Sequence, residues 1–351
     1  MQPKARLAQH SVFDGSDPGP LTFTLLPTYR CSAACEQCCF GSNPRVLERL
    51  SLGEMCELVD AAVRDFNNLQ LLVVSGGECF LLGDDLFAVI AHAKQHGLRV
   101  RTVTNGFWGK GLKAAERIAV RAAQAGLTEF NFSTGRDHTK FVPVQPIINA
   151  TVAAVSAGVT TLVTVEQDAD DSSILDQIQG DDRLLSLMRQ SRLLQVRVNS
   201  WMKFTQAHVP RNRGAVRASV DVPCDQLFSN VVVTPSGDVA SCCGLTFEYI
   251  PELKLGNVKS HALKDLFALQ ADDFLKIWVH MDGPVSIVRK VAPERLPEFA
   301  DCEHICQACA KMYRDPGIRT SIRNGYADHV ADVVNRYRFD RRMIRMSSTF
   351  N

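Results

Sequence analysis

From Leu21 to Val198 the sequence alternates between short runs of β-branched and apolar residues and longer amphipathic segments, and this alternation constrains the fold most. The strand candidates are Leu21–Leu26, Leu71–Ser75, Val100–Thr104, Glu129–Ser133, Thr160–Val165 and Leu194–Val198. Helical spacing lies between them, near Ser51–Phe66, Asp85–Gln95, Leu112–Ala125, Pro146–Ala157 and Ser173–Gln190. Strands separated by helices in this way form βα units and a parallel sheet. Six units are too few to close an eight-stranded barrel, so the pattern predicts an α/β fold, a partial (β/α)6 TIM-like barrel. Functional residues then belong at the C-terminal strand ends.

After Ala207 the texture changes to Pro210, Pro223, Pro235 and most of the remaining cysteines, which predicts a smaller C-terminal Cys-rich domain. The expected organisation is an extension at 1–20, the barrel core at 21–206, the Cys-rich domain at 207–320 and a C-terminal helix and tail at 321–351. Phe228–Thr234 and Asp238–Cys242 flank Pro-Ser-Gly and read as a hairpin, with Gly237 supplying the turn. A last helix over Asp328 to Met343 places Val330, Val334, Tyr337 and Ile344 at helical spacing.

Composition removes several classes of function. A 46% hydrophobic content excludes a disordered chain. Lys and Arg number 39 against 38 Asp and Glu, which speaks against a general nucleic-acid binder or a polybasic membrane protein. The first thirty residues hold Asp14 and Asp17 and no apolar core of a secretory signal. Phe141 to Val165 is uncharged, but Pro143, Pro146, Asn149, Ser156 and Gly158 interrupt it, and it reads as a helix leading into a buried strand. A cytoplasmic, reducing location is expected, where clustered thiols hold metal more often than they form disulfides.

Twelve cysteines are present, and three of them, Cys31, Cys35 and Cys38, occupy eight residues directly after the first strand. Three thiolates on one irregular loop can converge on a soft metal centre. A cubane held by three protein thiolates keeps one iron open to an exogenous ligand, the logic that separates catalytic from structural metal sites. Cys39 rivals them as a fourth ligand, but a side chain adjacent to Cys38 is expected to point away and pack. The competing reading is a zinc knuckle with a distant fourth ligand.

Cys-x3-Cys-x2-Cys after strand one resembles the signature of the radical S-adenosylmethionine (radical SAM) superfamily, and other residues agree in order. Ser75-Gly76-Gly77-Glu78 ends the second strand and resembles the family's GGE motif, whose backbone receives the methionine amine of SAM. Glycine suits a place where a ligand approaches the main chain. Thr104-Asn105-Gly106 and Ser133 end strands three and four, where the family contacts SAM, although helix capping explains them equally well. Asp137 and His138 resemble a pair often found near substrate, and the competing reading is a capping Asp beside a surface His. The family's usual aromatic before the third Cys is replaced by Gln37, which leaves Phe40 as a candidate to pack on adenine. Cys56 and Cys79 are read as packing residues.

The later cysteines, Cys224, Cys242, Cys302, Cys306 and Cys309, resemble the auxiliary-cluster domain of many radical SAM enzymes, called SPASM with two clusters and twitch with one. Leu255-Gly256-Asn257-Val258 and a helix at Leu263–Phe267 fit the segment after the hairpin in that domain. Too few ligands remain for two full clusters, so the resemblance implies one auxiliary [4Fe-4S] cluster on Cys224, Cys242, Cys306 and Cys309. Cys302 and Cys243 are spare, with Cys302 able to replace one of the four. A zinc ribbon is the competing reading.

The resemblance implies a [4Fe-4S] cluster at the SAM site, SAM itself, and reductive cleavage of SAM to a 5′-deoxyadenosyl radical that abstracts hydrogen from substrate. The expected substrate is a peptide or peptide-derived natural product, altered by crosslinking, epimerisation or oxidation. The alternatives are a dehydrogenase of a small metabolite, also an oxidoreductase, and a non-catalytic iron–sulfur electron-transfer scaffold. Expected partners are a reductant such as flavodoxin or ferredoxin and a separate peptide-recognition protein, since only thirty residues precede Cys31. Arg211, Arg213, Arg217, Arg336, Arg338, Arg341, Arg342 and Arg345 suit an acidic partner or a solvated helix face.

Overall fold

A computed structural model describes residues 19–167, 171–199, 220–242 and 245–348. Arg211, Arg213, Arg217 and Cys243 lie outside the described residues, as do residues 1–18, and of Arg345 only the backbone is described.

Six parallel strands follow the expected alternation. They are β1 (Thr22–Leu25), β2 (Leu71–Val74), β3 (Arg99–Thr104), β4 (Glu129–Gly135), β5 (Thr160–Glu166) and β6 (Leu194–Asn199). The helices between them are α1 (Leu52–Asp65), α2 (Asp84–Gln95), α3 (Leu112–Ala125), the short α4 (Arg136–Thr139), α5 (Val144–Ser156), α6 (Ser173–Gln179) and α7 (Asp182–Gln190). Each strand pairs with the next in sequence order. Right-handed crossovers that always step in one direction put every helix on one face of the sheet. The other face becomes the concave interior of an open barrel.

Local chemistry sets the element bounds. Ser51 and Glu54 form a reciprocal capping box at the start of α1, with Glu54 N–H donating to Ser51 Oγ at 3.2 Å and Ser51 N–H to Glu54 Oε2 at 2.7 Å. In α3 the buried face is Ala115, Ala119 and Ala122, small enough for close contact, and Gly126 closes the helix at a φ of 102°. The uncharged stretch resolves as α5 followed by β5, and no helix among the described residues is long and apolar enough to cross a membrane. The single helix expected at Ser173–Gln190 is two helices. Gly180 ends α6, and Asp181 caps α7 by accepting from the Arg183 and Leu184 amides.

The hairpin strands are β7 (Asn230–Val233) and β8 (Asp238–Ala240), turned at Gly237 with a φ of 87°. β7 lies parallel to β1, pairing Thr22 with Asn230 through to Leu25 with Val233. The cysteine-bearing hairpin therefore continues the barrel sheet past its first strand, and β9 (Lys254–Asn257) adds the outer edge. Nothing in the hairpin's own sequence announces this, because parallel pairing to a distant strand leaves no local signature. The remaining helices are α8 (Leu263–Ala268), α9 (Phe274–Asp282), α10 (Pro284–Val291), α11 (Ile305–Arg314), α12 (Pro316–Gly325) and α13 (Val330–Ser348).

Two apolar cores result, one between the sheet and α1–α5 and one under the later cysteines, built on Phe228, Val232, Phe247, Phe274, Trp278 and Tyr337. On α13, Val334 and Tyr337 are buried as the spacing predicts, and Val330 and Ile344 are half-buried. Two of the tail arginines are spent internally. Arg336 pairs with Asp282 at 2.9 Å and Asp332 at 3.0 Å, and Arg341 is buried, reaching Gly19 O at 3.5 Å.

Candidate functional site

The loop after β1 is pinned before it reaches its thiols. Leu50 N–H donates to Pro27 O at 2.8 Å, Thr28 Oγ1 donates to Glu48 O at 2.8 Å, and Cys31 N–H donates to Asn43 O at 3.2 Å. The turn after β2 is then fastened to this loop. Gly77 N–H donates to Thr28 O at 2.8 Å and Glu78 N–H to Arg30 O at 2.9 Å. A Cβ on Gly76 would sit 2.3 Å from Thr28 O, and one on Gly77 would sit 2.2 Å from Arg30 O. The two glycines are thus demanded by close packing of the motif against the lead-in to the cysteines, a reason the sequence alone does not supply.

A cavity of about 250 Å³ opens at the C-terminal ends of the strands. Its wall includes Cys31, Cys35 and Cys38, with Ser75, Gly76 and Gly77 after β2, Thr104 and Asn105 after β3, and Ser133 on β4. Residues separated by more than a hundred positions therefore meet where the βα pattern predicts. Asn105 Nδ2 donates to Ser32 Oγ at 3.1 Å and reaches Cys31 Sγ at 3.5 Å, joining the third strand end to the thiol loop. Phe40 lines the cavity and stacks on Tyr29, with centroids 5.1 Å apart and planes 9° from parallel. Gln37 is fully buried.

Glu78 stands elsewhere. Its side chain is wholly buried and is not among the cavity-lining groups. Its carboxylate accepts from Thr104 Oγ1 at 2.8 Å, from the Asn105 amide at 2.7 Å and from the Phe80 amide at 3.1 Å. Burial pushes its pKa up to about 7 in spite of these donors. This carboxylate ties the end of β2 to the end of β3.

His138 lines the cavity, and burial holds its pKa down at about 4, so the imidazole is neutral at pH 7. Asp137 is fully buried behind it and takes an ion pair from Lys140 at 3.1 Å. Among the cavity residues that sequence reasoning did not single out are Glu166 at the end of β5, Asn199 at the end of β6, and Leu245 and His304 from the C-terminal region. The strand-end rule that found Ser133 would have found the first two. Gly135 makes room for Glu166, since a Cβ there would lie 2.3 Å from Glu166 Cβ.

Burial raises the Cys31 thiol to about 12 and pushes Cys35 up as well. Cys38 is drawn down to about 6, chiefly by a hydrogen bond from the Cys39 side chain and then by the Phe40 and Ser42 amides. Cys39 therefore faces Cys38 and lines the cavity, contrary to the expectation that it points away. Cys38 is thus the ready thiolate, and the raised Cys31 and Cys35 thiols are stabilised as thiolates when a cationic centre joins them, so this donor set fits an iron–sulfur cluster. Among the described residues, the only three or more His, Cys, Asp or Glu ligand atoms within 4.8 Å of one another are those of Asp60, His92 and His96. A tetrahedral thiolate zinc site, with Zn–S near about 2.3 Å, needs its sulfurs about 4 Å apart.

In the C-terminal region, Cys224 and Cys242 sit on the second core close enough that each charge acts on the other, and burial raises Cys224 to about 11. Cys224 is anchored by its amide to Val279 O at 3.1 Å and by its carbonyl to His280 Nδ1 at 2.8 Å. Cys306 and Cys309 lie three residues apart in the first turn and a half of α11, which places them on one helix face. Cys309 and Cys224 both act on the buried Tyr313. Cys302 is raised to about 11 by burial and then by Asp301 and Glu303. His304 caps α11, its Nδ1 accepting the Cys306 amide at 3.1 Å, while the same ring lines the cavity that holds Cys31, Cys35 and Cys38.

Comparison with known proteins agrees with this arrangement. Residues 224–310 match SPASM, an iron–sulfur cluster-binding domain. A curated relative, the putative peptide biosynthesis protein YydG of Bacillus subtilis (strain 168), is 28% identical over 120 residues, which cover 34% of this chain and 37% of that protein's own length. Among solved structures, anSMEcpe with bound AdoMet superposes with a TM-score of 0.53 at 12% identity, over 90% of this chain and 100% of that one. The same neighbour with AdoMet and the Cp18Cys peptide gives 0.53 at 12% identity, over 90% and 99%. Those likenesses are of fold. The chain therefore shares the fold of an AdoMet-binding neighbour, with the thiol loop, the glycine turn and the strand-end polar groups gathered around one cavity, and its residues 224–310 match a SPASM iron–sulfur cluster-binding domain.

Proposed function

We propose that this protein binds SAM at the barrel mouth and modifies a peptide by hydrogen-atom abstraction. The observation that carries the reading is the shared cavity: the Cys31, Cys35 and Cys38 loop, the Gly76-Gly77 turn and Ser133 face the same space as His304 from the auxiliary cysteine loop. Cys31, Cys35 and Cys38 hold a [4Fe-4S] cluster, and Cys224, Cys242, Cys306 and Cys309 hold the auxiliary one. When bound, the reduced first cluster and SAM together supply a 5′-deoxyadenosyl radical, the hard chemistry the side chains cannot perform.

The chain's own residues position and shield. The Gly76-Gly77 turn lines the cavity and offers main-chain carbonyls to the methionine ammonium, while Gly77 N–H is given to Thr28 O. Asn105 and Ser133 offer polar groups at the next two strand ends. Phe40 is held flat by Tyr29 and offers a ring for adenine in the place of the aromatic missing at Gln37. Glu78 acts as a positioning residue, fixing Thr104 and Asn105. Neutral His138, with Asp137 behind it, and Glu166 face the part of the cavity left to substrate. Leu245 and His304 close that end against water.

A peptide substrate is supported by the likeness to a putative peptide biosynthesis protein and by the peptide bound in the structural neighbour. An external one-electron donor such as flavodoxin or ferredoxin is the expected partner. The test is an anaerobic reaction with candidate precursor peptides carrying deuterium at Cα or Cβ. The reading requires deuterium in 5′-deoxyadenosine and a mass or stereochemical change in the peptide. Turnover of SAM with every peptide left unlabelled and unchanged would direct the reading to a small metabolite.

A further inference from the structure

On the outer, helical wall of the barrel, α1 and α2 bring three metal-ligating atoms together. Asp60 stands on α1, while His92 and His96 stand one turn apart at the C-terminal end of α2. Both imidazole Nε2 atoms lie on the same oxygen, Asp60 Oδ1, at 2.6 and 2.7 Å. All three ligand atoms fall within 4.8 Å of one another, and the two rings meet edge to face with centroids 5.0 Å apart. The His92, His96 and Asp60 side chains are 26%, 33% and 48% exposed, so an ion can enter from solvent.

We propose that Asp60, His92 and His96 form a surface site for a borderline divalent transition ion, zinc foremost, that staples α1 to α2. Two imidazole nitrogens and one carboxylate oxygen are the donor set such an ion prefers, at bonds of about 2.0–2.2 Å, with solvent completing the tetrahedron. Each Nε2 that now faces Asp60 would present its lone pair to the ion, the ring proton being carried on Nδ1 instead. His96 caps α2, where the helix dipole favours added positive charge. None of these residues lines the radical cavity, so the site stands independently of the reaction proposed above.

The experiment uses the full chain with both clusters assembled anaerobically, freed of loose metal by a weak chelator, and titrated with zinc by calorimetry and metal analysis. The site predicts one zinc per wild-type chain and a rise in melting temperature. In the double variant His92→Ala/His96→Ala, zinc affinity falls at least about tenfold, and the melting rise disappears, while iron content and 5′-deoxyadenosine yield stay at the wild-type level. Asp60→Asn, which keeps the shape and removes the anionic ligand, weakens zinc in the same direction. Equal zinc binding by the wild type and the double variant, or no binding by either, overturns the proposal.

Discussion

Glu78→Ala is the substitution whose consequence is dictated most directly by the geometry. It leaves three buried donors, the Phe80 and Asn105 amides and the Thr104 hydroxyl, without their acceptor. At about 2 kcal/mol each the gross loss is about 6 kcal/mol. Against this stands the desolvation of the buried carboxyl itself, which holds its pKa up at about 7 and offsets part of that loss. The net is a destabilisation of about 3 kcal/mol, or for a chain of this length a melting temperature lower by about 4 °C. Glu78→Gln keeps one acceptor oxygen and should lose about half as much. Thermal melting of anaerobic protein, run beside a SAM titration, reads both quantities. A Glu78→Ala protein that melts within about 1 °C of wild type but no longer binds SAM would refute the positioning role and place the carboxylate on the ligand.

Other outcomes rest on the same geometry. Cys31→Ala, Cys35→Ala and Cys38→Ala should each abolish 5′-deoxyadenosine, measured by mass spectrometry, while iron analysis still finds the auxiliary cluster. Cys306→Ala and Cys309→Ala should remove one cluster's iron and lower the melting temperature; unchanged iron would release these thiols from the ligand set. Gly77→Ala drives a Cβ into Arg30 O, so SAM cleavage should collapse and stability fall by about 2 kcal/mol or more, beyond the usual surface range. Asp282 is raised by burial but held below the usual carboxylate range by Lys290 at 2.6 Å, Arg336 at 2.9 Å and Trp278 Nε1 at 2.9 Å. Because its folded pKa is depressed, its stabilisation is present above about pH 4 and is lost as pH falls through the folded value. Asp282→Asn should flatten that part of the stability profile, and a variant with the wild-type acid slope would dismiss this ion cluster as its source.

The barrel is legible in the sequence because period and composition act locally. Each strand from β1 to β6 lies within a residue or two of its expected place, and α3 coincides with Leu112–Ala125. Gly180-Asp181 hides inside a helical pattern, although a glycine followed by a capping Asp marks one helix ending and another starting. Long-range pairing leaves no such trace. The parallel join of β7 to β1 depends on strands more than two hundred positions apart, and it brings His304 and Leu245 over the cavity. The motif glycines stand out for one reason and are required for another, backbone packing against residues 28–30. Glu78 shows the same limit, since a carboxylate facing a ligand and one facing three interior donors read alike in a string of letters.

The most direct test of the account is electron paramagnetic resonance of the reduced protein with the auxiliary ligands Cys306 and Cys309 replaced, so that the centre on Cys31, Cys35 and Cys38 is observed alone. Addition of SAM should change that signal, and 5′-deoxyadenosine should appear in the same tube. A signal untouched by SAM, with no 5′-deoxyadenosine formed, would contradict the central claim that an iron on this three-thiol loop is open to it.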